Sequence, residues 1–306
     1  AWSYFDGRLG LNDFVKRNDS YQLIKTKLLQ NKKIDPNKNL LIIREQGVGD
    51  EILYGTIYED LLNTFSNTFI EIDERLKPLF ISSFKKIHHN KFYKLGYFSK
   101  NIEKLKGFDQ ILYAGSLGYY FRNSLKSFSK KNYLHISNTQ IHKGLEKLRD
   151  FRKEFKIGLS WKSFNNSYAN QKSLSLSDFD FIIKSSNVDF INLQYGDVNK
   201  EISSYNNNSE SKVHVLKGLD LFNDFIGIAS ILKNIDLFIT VSNSTAHLAG
   251  ALGVKTLLIK PFNQATFHYW YQPNNKTPWY ESIELINRDE INDEELFKKK
   301  VFSKLN

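Results

Sequence analysis

The stretch VSNSTAHLAGALG, Val241 to Gly253, places Ser242, Asn243, Ser244, Thr245 and His247 within seven residues, between the apolar runs LFIT and VKTLLIK. A strand ending near Val241 would hand over to a helix here, and any of Ser242, Asn243, Ser244 or Thr245 can cap it by accepting from a free backbone N–H. The start of a helix is also an anion site, because its first amides have no internal partner and its dipole favours negative charge. Ser244 and Thr245 add hydroxyl donors, and His247 in the first turn can reach a phosphate. Ala246, Ala249, Gly250, Ala251 and Gly253 keep the helix thin, so that sheet and ligand can come close. The pattern suits a diphosphate cradle. It describes equally well a capped helix with small residues for tight packing and a histidine satisfied in the core. No Walker-type loop ending in Gly-Lys-Ser/Thr is present, which argues against a P-loop NTPase.

Three further stretches carry candidate chemistry. In REQGVGDEI, Arg44 to Ile52, Gly47 and Gly49 permit a tight turn beside Gln46, and Asp50 stands at a helix start. Asp50 is either a cap or, with a substrate hydroxyl docked over it, a general base. GLSWKSFNNSYANQKSL, Gly158 to Leu174, runs from a strand end into a polar loop with Lys162 and Lys172, placed either to neutralise phosphate or to face solvent. INLQYGD ends another strand with Gln194 and Tyr195, and PFNQATFHYWYQPNNKTPWYES is an aromatic irregular segment with Trp270, Trp279 and Tyr280. Trp161, Gln194, Tyr195 and Trp270 are the candidate contacts to a base or sugar. The aromatic segment can also serve as a packing surface.

The elements that must position these groups alternate. NLLIIREQGVGDEILYGTIYEDLL reads as strand, turn and helix, TFIEID (68–73) and FDQILYAG (108–115) as strands, and ERLKPLFISSF as a helix. A second alternation has strands at 155–161, 188–194, 212–218, 235–241, 254–260 and 282–287, with a periodic helix over 221–234. The last helix has acidic residues first and basic ones last, which suits the helix dipole. Residues 11–33 read as an amphipathic helix, 136–155 as a polar helix-like linker, and 205–211 as a polar loop. The fold class is α/β with parallel sheets. In open sheets of this kind ligands sit beyond the carboxyl ends of the strands.

Length bounds this to about two domains, and 24 Phe and 16 Tyr supply two cores. With no Cys, there are no disulfides, thiolate metal sites or Cys nucleophile. No run approaches the roughly 20 apolar residues of a membrane span, and AWSYFDGRLG lacks the basic-then-apolar order of a signal peptide. The expectation is a cytoplasmic protein. Absence of Met and a first residue Ala fit a chain that begins inside a longer reading frame. The net charge of +10 favours anionic partners, but the basic residues are scattered and no nucleic-acid-binding motif occurs, so nucleic acid is not the expected partner.

Taken together, VSNSTAHLAGALGVKTLLIKP followed by TPWYESIELIN resembles the C-terminal half of heptosyltransferase-like glycosyltransferases, glycosyltransferase family 9, in the branch often fused behind tetratricopeptide repeats. REQGVGDEILYG is similar to that branch's E-Q-G-x-G-D element, GLSWKS and INLQYGD match its strand ends in order, and AWSYFDGRL is similar to its W-x-Y-E-x-R start. The resemblance implies a GT-B architecture, two Rossmann-like domains facing across a cleft. It divides the chain into an N-terminal helical segment, 1–35, in the place of a remnant of upstream repeats, an acceptor domain, 36–145, and a nucleotide-sugar domain, 146–306. It implies a hexosyl- or heptosyltransferase without metal or other cofactor. Asp50 aligns with the family's proposed base beside Gln46, Gly47 and Gly49. Asn243, Ser244, Thr245 and His247 fall on the diphosphate element, and Lys172, with Lys162, near the family's loop cation. Ser242-Asn243 stands where many relatives have Asp-Thr. The implied partners are a nucleotide-diphosphate sugar and a hydroxyl acceptor on a surface glycan, lipopolysaccharide or other lipid-linked molecule, or protein. Peripheral contact with the inner membrane face is a further expectation. The rival readings are a binding or scaffold module of the same fold without catalysis, and a nucleotide-sugar epimerase.

Overall fold

The computed structural model describes residues 2–10, 21–29, 33–129, 131–164, 169–185, 187–262, 267–270 and 274–305. The chain forms two compact units, 1–129 and 130–306.

The first unit is built on four parallel strands, β1 (Leu40–Ile43), β2 (Thr68–Ile72), β3 (Phe92–Lys94) and β4 (Gln110–Tyr113), in the order β3-β2-β1-β4. Strand β1 is buried along its whole length, as LLII requires of a strand covered on both faces. Because β1 lies between β2 and β4, the strand order reverses there, and the switch point of this sheet lies beyond the carboxyl ends of β1 and β4. Strand β3 has only three residues and sits between lysines, so its alternation is too short to stand out in the sequence. The N-terminal segment belongs to this unit. Leu9 and Ile24 pack with Leu41, Ile43, Phe108 and Ile111, and Trp2 Nε1 donates to the Arg122 carbonyl at 2.6 Å. Of the helix expected over 11–33, Tyr21–Lys27 is helical, while 11–20 and 30–32 lie outside the described residues.

The second unit has six parallel strands, β5 (Phe155–Ser160), β6 (Val188–Asn192), β7 (Val213–His214), β8 (Leu237–Val241), β9 (Thr256–Ile259) and β10 (Ile283–Ile286), in the order β10-β9-β8-β5-β6-β7. Strands β5 and β8 flank its switch point. Their core includes Ile157, Leu159, Phe190, Leu237, Ile239 and Leu257. Strand β7 is reduced to two residues of the expected seven.

Two expectations change. The polar segment 136–155 contains the helix Asn138–Lys147, capped by Ser137 and packed on the helix Phe225–Leu232. A Cβ at Gly144 would meet the Ser230 carbonyl oxygen at 2.3 Å, so glycine is what permits that approach. The segment is therefore a packed element of the second unit and not a free linker. The expected polar loop at 205–211 is helical as far as Asn208, within Asn199–Asn208. Ile202 and Tyr205 anchor that helix on the core, overriding the poor helix preference of its asparagines.

Candidate active site

Beyond the carboxyl ends of β5 and β8 a hydrogen-bonded network ties the two strands together. Asn243 is the cap of the helix Ser244–Leu252, its Oδ1 accepting from Ala246 N–H at 3.1 Å. Its Nδ2 donates to Ser160 Oγ at 2.8 Å and to the Lys162 carbonyl at 3.3 Å. Ser160 Oγ in turn donates to Gln194 Oε1 at 3.1 Å, which also accepts from Lys162 N–H at 2.6 Å. Gln194 Nε2 donates to the Tyr195 carbonyl at 2.7 Å. Gln194 is buried and both ends of its amide are committed, so it sets the loop geometry instead of facing a base. Trp161 is likewise fully enclosed in the core of the second unit, with no ring face for a ligand.

The small residues of Ser244–Leu252 have a packing role. A Cβ at Gly250 would meet Tyr280 Cγ at 2.5 Å, and Gly253 closes the helix at φ 72° with the Asn132 side chain directly over it. The helix is buried except at Ser244. His247, in its first turn, sits in an aromatic cage. It stacks on Trp270 with ring centroids 4.9 Å apart, meets Tyr269 edge-on, and its Nδ1 is 3.1 Å from the Tyr280 hydroxyl. Trp270 Nε1 donates to Ser242 Oγ at 2.9 Å. The aromatic segment thus builds the wall around His247, with Trp270, Trp279 and Tyr280 all buried. Burial, reinforced by the positive charge of Lys172 and by His268, holds the His247 imidazole down at about 3. The ring is neutral at physiological pH, and the cation at this place is Lys172.

Lys172 is buried, with Nζ over the Phe267 ring at 4.4 Å. Arg288, a residue the sequence did not single out, fixes the backbone on both sides of it by donating to the Gln171 and Ser173 carbonyls at 3.2 and 2.7 Å. The Lys162 backbone belongs to the network at the helix cap, but its ammonium is committed to an ion pair with Glu201 at 2.5 Å. Tyr195 is half-buried and hydrogen bonds Ser244, and burial raises its phenol pKa. Its ring is flanked by the exposed rings of Phe164 at 5.6 Å and Phe222 at 6.4 Å. Neither phenylalanine has a sequence signal beyond its type, because the two meet Tyr195 from separate loops. Ser244, Lys172 and His247 therefore gather at the helix start, as does Tyr195. Thr245 is buried in the same first turn.

In the first unit, the loop after β1 carries Asp50. Gly47 caps the helix Val48–Gly55, and Asp50 at its third position accepts from Gly47 N–H through Oδ2 at 3.2 Å. The left-handed residue of the turn is Gln46, at φ 57°, while Gly47 has φ −99° and Gly49 lies in the first helical turn. Around this loop stand ion pairs that the sequence did not disclose. Arg44 meets Glu51 at 3.0 Å and Asp73 at 2.8 Å. Arg8 clasps Glu45 through two nitrogens at 2.9 and 2.7 Å, and Glu45 also accepts from Gly115 N–H. Burial pushes the Glu51 carboxyl up to about 8, against the pull of Arg44. Among the described residues no three histidine or carboxylate side chains come together as a metal ion would need.

No family model matches the sequence. A glycosyl transferase of family 9 from Veillonella parvula superposes with a TM-score of 0.59, 13% identical, over 90% of this chain and 98% of that one. The ADP-heptose lipopolysaccharide heptosyltransferase II of E. coli does so with a TM-score of 0.57, also 13% identical, over 87% and 98%. The fold is that of the family 9 glycosyltransferases. It is of the GT-B type expected, with a parallel-sheet unit in each half. Within this family 9 fold, the capped helix Ser244–Leu252 and the Asp50 loop each follow a strand that flanks the switch point of its sheet, β8 in the second unit and β1 in the first. In sequence the chain is 26% identical over 258 residues to Protein FlbA of Caulobacter vibrioides, covering 80% of this chain. It spans about two fifths of that relative, 42% of its length.

Proposed function

We propose that this chain is a glycosyltransferase that moves a sugar from a nucleotide-sugar to a hydroxyl acceptor. The second unit takes the donor, and the loop Arg44–Glu51 of the first serves the acceptor. The observation that carries this reading is the start of the helix Ser244–Leu252 at the β5/β8 switch point, with the buried Lys172 beside a neutral His247. The first helical amides and the Ser244 hydroxyl would hold the donor diphosphate. Lys172 would offset the negative charge that grows on the departing nucleoside diphosphate, in a site where fixed charge acts strongly. Asp50 would take the proton of the acceptor hydroxyl as that oxygen attacks the sugar. Tyr195, Phe164 and Phe222 are placed to contact the remainder of the nucleotide. No metal or other cofactor takes part in this reading. The acceptor is a hydroxyl of a glycan, a lipid-linked molecule or a protein.

A thermal-unfolding panel with ADP, UDP, GDP, dTDP and CMP tests the donor half. ADP stands first because the E. coli structure is that of an ADP-heptose enzyme. At about 100 times its dissociation constant, one nucleotide should stabilise the fold by about 2.7 kcal/mol. That gain should vanish in Lys172→Ala. No shift with any member of the panel would overturn the reading.

A further inference from the structure

The most concentrated charge in the chain lies outside both candidate loops. Between positions 85 and 106 the sequence KKIHHNKFYKLGYFSKNIEKLK has seven lysines and one glutamate, six surplus positive charges against ten for the whole protein. Within it, three large apolar side chains face solvent: Leu95 at 43% exposure, Tyr97 at 37% and Ile102 at 53%. Among the described residues Lys94, Lys100 and Lys104 form no ion pair with a carboxylate.

This surface is held rigidly. The buried carboxylate of Glu71 accepts from the backbone N–H groups of Gly96, Phe98 and Ser99 at 3.1, 2.6 and 2.8 Å, and from Ser99 Oγ at 2.6 Å. Tyr97 N–H closes a turn onto the Lys94 carbonyl at 3.0 Å, with Gly96 at φ 80°. Leu95 stands at the turn's tip. A buried carboxylate thus spends its acceptors on fixing a loop whose outward residues are apolar and basic. Lysines beside a short edge strand commonly guard it against pairing with another chain. That role accounts for Lys94 but not for Leu95, Tyr97 and Ile102.

We propose that this face of the first unit docks on an anionic lipid bilayer. Apolar tips entering the boundary between headgroups and acyl chains, ringed by lysines over acidic headgroups, combine the two terms that drive interfacial binding. Among the described residues no helix is long and apolar enough to cross a membrane, so the contact is peripheral. A nucleic acid fits less well, because stacking a base needs an open ring face. Tyr97 has Lys104 Nζ 3.4 Å from its centroid on one side and the Tyr93 ring 5.3 Å away and near-parallel. All strands of this sheet are parallel, so the turn after β3 and the Asp50 loop after β1 leave it at the same end, two strand spacings or roughly 10 Å apart. Docking would thus bring lipid-linked hydroxyls to the acceptor loop. That last clause rests on the transfer reading, whereas the docking does not.

The test is sedimentation of the full chain with vesicles of phosphatidylcholine containing one-third phosphatidylglycerol, against phosphatidylcholine alone. The chain should pellet with the first and not the second, and release as salt rises. Lys94→Glu with Lys100→Glu should lower partitioning about tenfold or more, and Leu95→Ser with Ile102→Ser about threefold or more. Lys217→Glu with Lys299→Glu, the same charge change on the second unit, should leave it within about twofold. All these positions are exposed, and thermal unfolding checks each variant's fold. No pelleting, equal pelleting with neutral vesicles, an equal loss in the control pair, or displacement from vesicles by a short oligonucleotide at matched charge would each overturn the proposal. None of these outcomes depends on nucleotide binding or sugar transfer, so docking can fail while the transfer reading stands.

Discussion

Asp50 and His247 show what a single side chain can be asked to do. The Asp50 carboxylate closes the start of its helix by accepting from Gly47 N–H, a task an amide oxygen performs equally well. Asp50→Asn should therefore keep its thermal midpoint to within about 2 °C. Sugar transfer should fall about a hundredfold to ten-thousandfold, because the amide cannot take the acceptor proton. Unchanged transfer would remove the base assignment. For His247 the prediction concerns pH. Its folded pKa, about 3, lies below the ordinary 6.5, so the unfolded chain binds the proton first. Its contribution is then fully present above about 6.5 and is lost toward lower pH, by up to about 1.4 kcal/mol per pH unit. Glu51 runs the other way, its raised pKa weakening the fold as pH climbs from 4.5 through about 8. The stability gap between the wild type and His247→Phe separates the two. Urea unfolding on both sides of about 6.5 should show that gap moving against the wild type as pH falls, and a constant gap would mean that His247 titrates normally.

At the scale of elements, the first unit depends on how its N-terminal segment is tied to the sheet. Arg8 places two nitrogens on Glu45, beyond β1, and reaches Ser116, beyond β4, at 3.1 Å, filling the unit's switch point. Arg8→Met leaves the Glu45 carboxylate buried without its cation and should cost about 3–5 kcal/mol in denaturant unfolding. Adding Glu45→Leu should recover a good part of that loss, because an apolar pair replaces a stranded charge. An equal loss in single and double variants would show that the cost does not come from a stranded Glu45 carboxylate, and no loss in Arg8→Met would show that Trp2, Leu9 and Ile24 suffice to hold the segment. Such ties explain how much could be read beforehand. LLII and LFITV announce β1 and β8 because strands covered on both faces read as near-continuous apolar runs, and FKIGLS announces β5 through its buried Ile157, Gly158 and Leu159 despite Lys156. The start of the helix Ser244–Leu252 was legible because Asn-Ser-Thr before Ala and Gly is local chemistry. The pairs Arg8–Glu45 and Arg44–Asp73, and the seat of Lys172 beside His247, were not legible. They join residues that only the strand order brings together. The aromatic segment misled for the same reason, since composition does not say whether a tryptophan faces a ligand or, like Trp270, a histidine.

For the whole molecule, the division after Ser129 has a functional consequence. The second unit carries a complete six-stranded sheet, its own apolar core and every group assigned to the donor, including Lys172 and its clamp Arg288. The helix Asn138–Lys147 packs within it, so a cut at 129/130 removes none of its framework. The fragment 130–306 should therefore unfold cooperatively in urea on its own. It should also show the same nucleotide-induced stabilisation as the full chain, about 2.7 kcal/mol at a hundredfold excess over the dissociation constant. It should transfer no sugar to a hydroxyl, because Asp50 and its loop are gone, though slow loss of the sugar to water can persist once the diphosphate is held. If the fragment folds but no longer responds to the nucleotide, the donor site includes groups of the first unit. The helix Ser244–Leu252 and Lys172 would then be insufficient for binding. If it responds fully, donor recognition is a property of the second sheet alone, and the first unit contributes acceptor chemistry.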